Sequence, residues 1–408
     1  MSESVARPGF SELAGVFLKL SLLGFGGPNA HLALMLEEVV ERRRWLSREH
    51  FLELMAVTNL LPGPNSSEVA IHIGYSTRGW RGALVTGGIF LLPTFLMVTA
   101  VAALYFRFGT LPHVEPVFWA LKPVVLAIIL RAGFKLARTA VKDGLLAALA
   151  VAGAAVGYLY GGWVVPAMAL GGLVTWARWR TGRDAGPGGG EDPGRGSGSK
   201  DGGQGFGGRE GDGPTLRSWA FPSGALVAAV GTSGPVLTVF LLHLGIGAVL
   251  FGGGYVLVIL LEPYAVGQFG WLTAAQFLDG VALTQVIPGP ISTLSAFVGF
   301  AAAGLPGAVA GTAGVYLPAF AAVLLVAPHL ERLREKAPVK AFLLGVSAVV
   351  GGGIVGVAGT LAVPSIPDLW GGILGAVALV LLLTGRVSPA VAILAALTIG
   401  GVRLFLLG

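Results

Sequence analysis

The 408-residue chain contains no cysteine. Disulfides, thiolate metal sites and cysteine nucleophiles are thereby excluded, and cysteine usage carries no information about redox compartment. Charge is scarce as well: Asp, Glu, Lys and Arg make up 12% of the residues, about half the share usual in soluble domains. That argues against a soluble enzyme. The six histidines are scattered, and the sequence holds no GxSxG, no HExxH, no Walker-type phosphate loop and no dinucleotide fingerprint in a strand-to-helix setting. Its Gly-Gly-Gly runs at 188–190 and 351–353 fall in a polar stretch and in an apolar helix. No catalytic residue, metal or cofactor is therefore expected, and ATP-driven pumping by this chain alone is disfavoured.

What the sequence has in abundance is apolar surface, glycine and proline. The apolar share is 54%, with 65 Gly, 24 Pro and a mean hydropathy of +0.79. The apolar residues come in runs of roughly 18 to 25, enough to cross a hydrocarbon core about 30 Å thick. An all-α, polytopic membrane protein is expected. The net charge of +6 does not indicate a nucleic-acid partner, because the Arg and Lys sit in short clusters between apolar runs, as loop charge does in membrane proteins. The expected partner is the lipid bilayer. Met1–Phe10 lacks the basic region, short apolar stretch and small-residue site of a cleavable signal, so the first hydrophobic segment is expected to stay in the mature protein.

The chain divides into two halves. Residues 180–217 are rich in Gly and alternating charge with almost no large apolar side chains, the composition of a flexible linker. On either side the sequence repeats. Phe25-Gly26-Gly27 recurs as Phe251-Gly252-Gly253, Trp45-Leu46-Ser47 as Trp271-Leu272-Thr273, and Pro62-Gly63-Pro64 as Pro288-Gly289-Pro290, all at an offset of 226. Past residue 303 the offset becomes 225, matching Pro93 with Pro318, Asp143 with Asp368 and Arg178 with Arg403. The reading is an N-terminal repeat at 1–179, the linker at 180–217, a connecting transmembrane helix at 218–236 and a C-terminal repeat at 237–408. Internal duplication of a hydrophobic unit is common in secondary transporters.

Charge orients the halves. Arg42, Arg43, Arg44, Arg48, Arg78 and Arg81 mark two basic loops, whereas their counterparts are Gln268, Phe269, Gly270, Ala274, Ala303 and Pro306. Conversely Arg332, Arg334, Lys336 and Lys340 crowd one loop of the second half. Since basic loops stay cytoplasmic, equivalent loops lie on opposite faces and the repeats are inverted. With loops 41–48 and 78–82 on one side, the stretch between them enters and leaves by that side, a re-entrant hairpin with Pro62-Gly63-Pro64 at its tip. Segments 12–36, 237–262 and 275–303 are read alike. Spanning helices are expected near 83–106, 118–137, 144–160, 163–179, 308–328, 341–362, 370–385 and 388–406.

Glycine and proline at membrane depth free backbone N–H and C=O groups, tolerated only in a protein-buried or watery site. Each Pro-Gly-Pro is suited to opening a half-helix, followed by Asn65, Ser66, Ser67 and Glu68 in one repeat and by Ile291, Ser292 and Thr293 in the other. The free N–H groups, the dipole and the hydroxyls suit an anion. The plainer alternative is that Gly and Pro only kink helices and permit close packing. Lys122 and Arg131 are candidates for compensating charge, with snorkelling to the interface the alternative for Lys122; Lys19 is weighed alike. Glu68 could exchange a coupled proton or simply favour the helix N-terminus. Glu53 aligns with Asp279, and His31 and His72 are most simply local hydrogen-bonders.

Phe25-Gly26-Gly27-Pro28-Asn29-Ala30-His31, Glu41-Arg42-Arg43-Arg44-Trp45-Leu46 and Leu61-Pro62-Gly63-Pro64 resemble the N-terminal domain of the chromate ion transporter family. Phe251-Gly252-Gly253-Gly254-Tyr255, Glu262, Gly270-Trp271-Leu272 and Gln285-Val286-Ile287-Pro288-Gly289-Pro290 resemble its C-terminal domain. The resemblance implies a long-chain, two-domain secondary transporter that exports chromate across the cytoplasmic (inner) membrane, driven by membrane potential or ion exchange. Asn65 and Glu68 are read as departures from the family's pattern, Glu68 in carrying an acid where the family has small or amide residues. A sulfate or general oxyanion carrier, a passive anion channel and, less well supported, a membrane-embedded enzyme remain alternatives; a homodimer is compatible with the reading.

Overall fold

A computed structural model describes residues 8–24, 28–58, 61–108, 115–181, 234–326 and 337–407. The Phe25-Gly26-Gly27 motif, nearly all of the linker, most of the 218–236 helix, and Arg332, Arg334 and Lys336 lie outside the described residues. Every regular element among the described residues is helical. In the first half these are α1 (Phe10–Leu23), α2 (Pro28–Met35), α3 (Arg48–Thr58), α4 (Asn65–Phe108), α5 (Glu115–Ala140), α6 (Gly144–Leu159) and α7 (Val164–Arg180). The second half carries α8 (Pro235–Ala248), α9 (Tyr255–Glu262), α10 (Ala274–Val286), α11 (Leu294–Ala321), α12 (Ala337–Thr360), α13 (Leu369–Leu383) and α14 (Pro389–Leu407). Apart from the four-residue helix Ala362–Ser365, each of these helices has its counterpart seven places on, as the sequence repeat requires.

Local chemistry sets matching boundaries. Ser47 and Thr273, equivalent in the repeat, accept hydrogen bonds from His50 N and Gln276 N at 3.1 and 3.2 Å and start α3 and α10, each satisfying an orphan donor of a first turn. Asp143 and Asp368 do the same for α6 and α13, accepting from Leu146 N and Gly371 N. Each of these aspartates also meets the arginine matched to it by sequence: Arg178 lies 2.9 Å from Asp143, and Arg403 lies 3.9 Å from Asp368.

α4 and α11 are each a hairpin of two arms. At Arg78-Gly79 and Ala303-Gly304 the backbone leaves the helical region, with Gly79 and Gly304 at φ +64° and +61°, conformations glycine takes without a Cβ penalty. The arms then run antiparallel: Thr86 Oγ1 donates to Ala70 O at 2.8 Å, and Gly311 lies against Ser295 O. Arm 65–77 is about 20 Å long, and the 11-residue α3 about 16 Å, at 1.5 Å per residue; neither reaches across a 30 Å core.

Among the described residues, five helical stretches are long and apolar enough to cross a membrane: Asn65–Phe108, Val117–Ala140, Ile291–Leu325, Ala337–Thr360 and Pro389–Leu406. α6, α8 and α13 are apolar but shorter. The expected helices at 144–160 and 370–385 are therefore present, at about 24 Å rather than a full 30 Å. Large apolar side chains such as Val151, Leu170, Leu173, Trp370 and Phe405 are exposed, whereas Ser21, His31, Glu68, Thr94, Ser292 and Thr293 are buried. That distribution suits a chain solvated by lipid, with its polar groups turned inward.

The halves are interlocked. α5 packs against α12, α13 and α14, while α12 packs against α5, α6 and α7, so each repeat's last two helices clasp the other's fifth. Small residues allow the close approach. A methyl group built on Gly133 would lie 2.9 Å from Val355, and one on Gly351 would lie 2.5 Å from Ala137 N. The pairing runs in opposite directions along the two chains, so the equivalent helices α5 and α12 are antiparallel.

The Leu146 N–H, and then Arg178, hold the Asp143 carboxyl below its ordinary range. A depressed folded-state value means that the cap's stabilisation is present above pH about 4 and lost as pH falls through the folded value. Asp143→Ala is expected to cost about 1 kcal/mol at pH 7, as for a solvent-facing cap. Thermal unfolding of the purified protein should show the difference from the parent shrinking below pH about 4.

Candidate functional site

Pro288 stops α10, because Ile287 before it is pushed into extended backbone, and α3 ends at Thr58, ahead of the first Pro-Gly-Pro. Gly63 and Gly289 take φ of +154° and +121°, which their lack of a Cβ permits. Their N–H groups point across to the other repeat: Gly63 N donates to Leu250 O at 2.7 Å and Gly289 N donates to Gly24 O at 3.0 Å. Leu250 and Gly24 immediately precede the two Phe-Gly-Gly motifs, so each broken segment is braced by its opposite number. Thr94 Oγ1 adds a bond to Pro288 O at 2.9 Å.

His31 ties the first repeat together. Its Nε2 lies 2.8 Å from Gly24 O and its Nδ1 3.3 Å from Ser66 Oγ. A carbonyl only accepts, so Nε2 is the donor and Nδ1 is left to accept from the hydroxyl. The histidine is a strut between the turn after α1 and the first residues of α4.

Beside the brace lies a cleft of about 500 Å³, lined by Asn65, Arg131, Lys135, Gly252, Gly253 and Tyr255 among others. Two cations, a helix start and two positive-φ glycines meet there, with Gly252 and Gly253 at φ +96° and +107°. This surface suits a small anion by charge and by available donors. Gly289 lies in a small adjoining pocket with Tyr255 and Gln285, which are hydrogen-bonded to each other at 3.2 Å. Sequence analysis had singled out Asn65, Arg131, Gly252, Gly253 and Gly289; it missed Lys135, Tyr255 and Gln285. Lys135 was within reach of it, since four residues from Arg131 puts it on the same helix face.

Other expected residues sit elsewhere. Ser66 bonds His31; Ser292 Oγ lies 2.5 Å from Tyr316 Oη, and Thr293 Oγ1 donates to Pro290 O at 2.8 Å. These hydroxyls are committed to the protein. Glu68 is fully buried under Gly63, and neither carboxyl oxygen has a hydrogen-bond partner. A methyl group on Gly63 would lie 2.5 Å from Glu68 Oε1 and 2.9 Å from the Ala319 Cβ, so the space beside Gly63 is already taken by protein. Lys19, exposed along much of its length, pairs with Glu38. Glu53 is exposed while its counterpart Asp279 is buried, so the two equivalent positions have different surroundings.

Lys122 neither snorkels nor faces the cleft. Its Nζ lies 3.2 Å from Asp279 Oδ1, and Tyr105 Oη donates to Asp279 Oδ2 at 2.7 Å. With side-chain exposures of 18% and 8%, removing one member strands the other's charge, a change that costs about 3 to 5 kcal/mol. Lys122→Gln is expected to lower the thermal midpoint and the yield of folded protein. The double variant Lys122→Met with Asp279→Asn, which keeps an acceptor for Tyr105, should recover most of both; no recovery would show that the pair does not account for the loss.

Comparison with known proteins bears on this arrangement. A chromate transport protein of Pseudomonas aeruginosa is 33% identical over 381 residues, covering 89% of this chain and 82% of its own length. A chromate transport protein of Cupriavidus metallidurans is 32% identical, covering 91% and 87%. An uncharacterized transporter of Bacillus subtilis, 29% identical, covers 37% of this chain but 94% of its own length; a single repeat is thus close to a whole protein there. No solved structure matches the chain. The chromate transporter family matches residues 11–176 and 237–401, one stretch in each repeat; this multi-pass helical membrane protein, whose relatives are named as transport proteins and not as enzymes, belongs to that family.

Proposed function

We propose that the chain is a secondary transporter that exports chromate across the cytoplasmic membrane. In this reading its two repeats are inverted, and α3 with arm 65–77 and α10 with the first arm of α11 are re-entrant hairpins. The antiparallel run of α5 against α12 supports the inversion, and the shortness of α3 and arm 65–77 supports re-entry. The observation that carries the functional reading is the crossed brace, which ties Gly63 to Leu250 and Gly289 to Gly24 of the other repeat beside a cleft containing Arg131. A dianion bound there meets the start of α4 at Asn65, the Gly252-Gly253 backbone and the Arg131 guanidinium, an arrangement of charge and donors suited to a tetrahedral oxyanion. Lys122 is assigned to the frame, and Ser292 and Thr293 shape the second half-helix start.

Glu68 is the proposed coupling group. A carboxyl without hydrogen-bond partners at membrane depth is costly to keep charged, and this one lies directly beneath Gly63. Proton exchange at Glu68 would act on the brace through that contact.

Uptake of labelled chromate into inverted membrane vesicles tests the reading, with sulfate as competitor and an imposed proton gradient as the variable. Saturable uptake that resists sulfate is expected. Uptake abolished by modest sulfate would assign a general oxyanion carrier instead, and absence of uptake under any gradient would contradict the transport reading.

Two variants probe the parts. Gly63→Val or Gly289→Val is expected to abolish uptake with the protein still in the membrane, because a branched side chain cannot take these positions without opening the brace; normal uptake in either would remove the brace from the mechanism. Glu68→Gln should keep exchange of labelled for unlabelled anion while losing the response to the proton gradient; an unchanged response would remove Glu68 from coupling.

A further inference from the structure

Arg131 and Lys135 stand one turn apart on α5, both line the cleft, and neither has an ion-pair partner among the described residues. The second repeat has nothing like them. At the equivalent positions, 225 residues on, stand Gly356 and Thr360. The equivalent space is also filled differently: Asn65 corresponds to Ile291, whose side chain packs onto Gly254, the counterpart of Pro28. Nearby, the Pro263 ring covers Gly161, with the Glu262 carboxyl at its edge. One side of the pseudo-symmetric pair is open and cationic; on the other, the described residues carry no equivalent cations and bring an apolar side chain and an acid close by.

We infer that the Arg131–Lys135 cleft is a one-sided capture vestibule for small divalent oxyanions. Two uncompensated cations in a recess with low-dielectric walls raise the local anion concentration by about 10-fold to 10³-fold. The counterpart positions, without those cations and with Glu262 near Gly161, offer the same ligand no such attraction. Under the inverted topology proposed above, the C-terminal end of α5 and the turn before α14 lie on the cytoplasmic side, the side from which an exporter loads. Lys135 is then a capture residue for the anion, delivering it to Asn65 and the Gly252–Gly254 backbone.

The absence of native cysteine allows a test that does not depend on transport. Ser388→Cys and Thr139→Cys, both on the cleft lining, are reacted with anionic and cationic methanethiosulfonate reagents in vesicles of zwitterionic lipid. The anionic reagent is expected to react about tenfold faster, from the cytoplasmic face only, and chromate should slow it. The ratio should fall to near one with Arg131→Gln and Lys135→Gln together, and persist in the charge-retaining pair Arg131→Lys and Lys135→Arg, which controls for folding. Equal rates in the parent, a ratio that survives the neutralised pair, or labelling from the opposite face would overturn the inference. Protection by added anionic lipid alone would also overturn it, since the cleft would then hold a headgroup and not a free oxyanion. If the labelling pattern holds but vesicles move no chromate, the vestibule stands and the carrier reading fails.

Discussion

Backbone hydrogen bonding in a medium without water is the constraint on which the rest of this structure depends. A helix broken at Pro-Gly-Pro strands N–H and C=O groups that lipid cannot satisfy, and in this chain the partners come from the other repeat: Gly63 to Leu250, and Gly289 to Gly24. Neither half can therefore complete its own interruption. The clasp of α5 by α13 and α14, and of α12 by α6 and α7, extends the same dependence through the body of the protein. Glycines where these helices meet let their backbones approach to packing distance.

Duplication preserved the frame, and charged residues that differ between the copies lie at the cleft and beside the brace. The helix caps at Ser47 and Thr273, the Asp143–Arg178 and Asp368–Arg403 pairs, and the hairpin turns at Gly79 and Gly304 recur in both halves. In contrast Glu68 corresponds to Leu294 and Arg131 to Gly356 across the repeat. A symmetric carrier has no built-in direction. Charges confined to one of two equivalent positions make the two sides differ in their attraction for an anion, while the net direction of a secondary carrier is set by the gradient that drives it.

Much of the frame was legible because glycine, proline and apolar runs act locally. The in-register motifs gave the helix order and the interruption points, and helix positions followed within a few residues, as with 118–137 for α5 and 388–406 for α14. Long-range pairing was not legible. Nothing near Lys122 in sequence indicates that its partner is Asp279, on α10 of the other repeat, and the alignment of Asp279 with Glu53 concealed it. The brace was equally hidden, since a backbone N–H carries no side-chain signature. Lys135 was overlooked although helical spacing placed it beside Arg131, because attention went to residues deep in the apolar run.

The inverted relation of the repeats is the claim from which both the pathway and its direction follow. Its most direct measurement is the sidedness of Arg42→Cys and Gln268→Cys, equivalent exposed positions in the two halves, to a membrane-impermeant thiol reagent. Labelling of position 42 from the cytoplasmic face and of position 268 from the opposite face is predicted. Labelling of both from the same face would contradict the account.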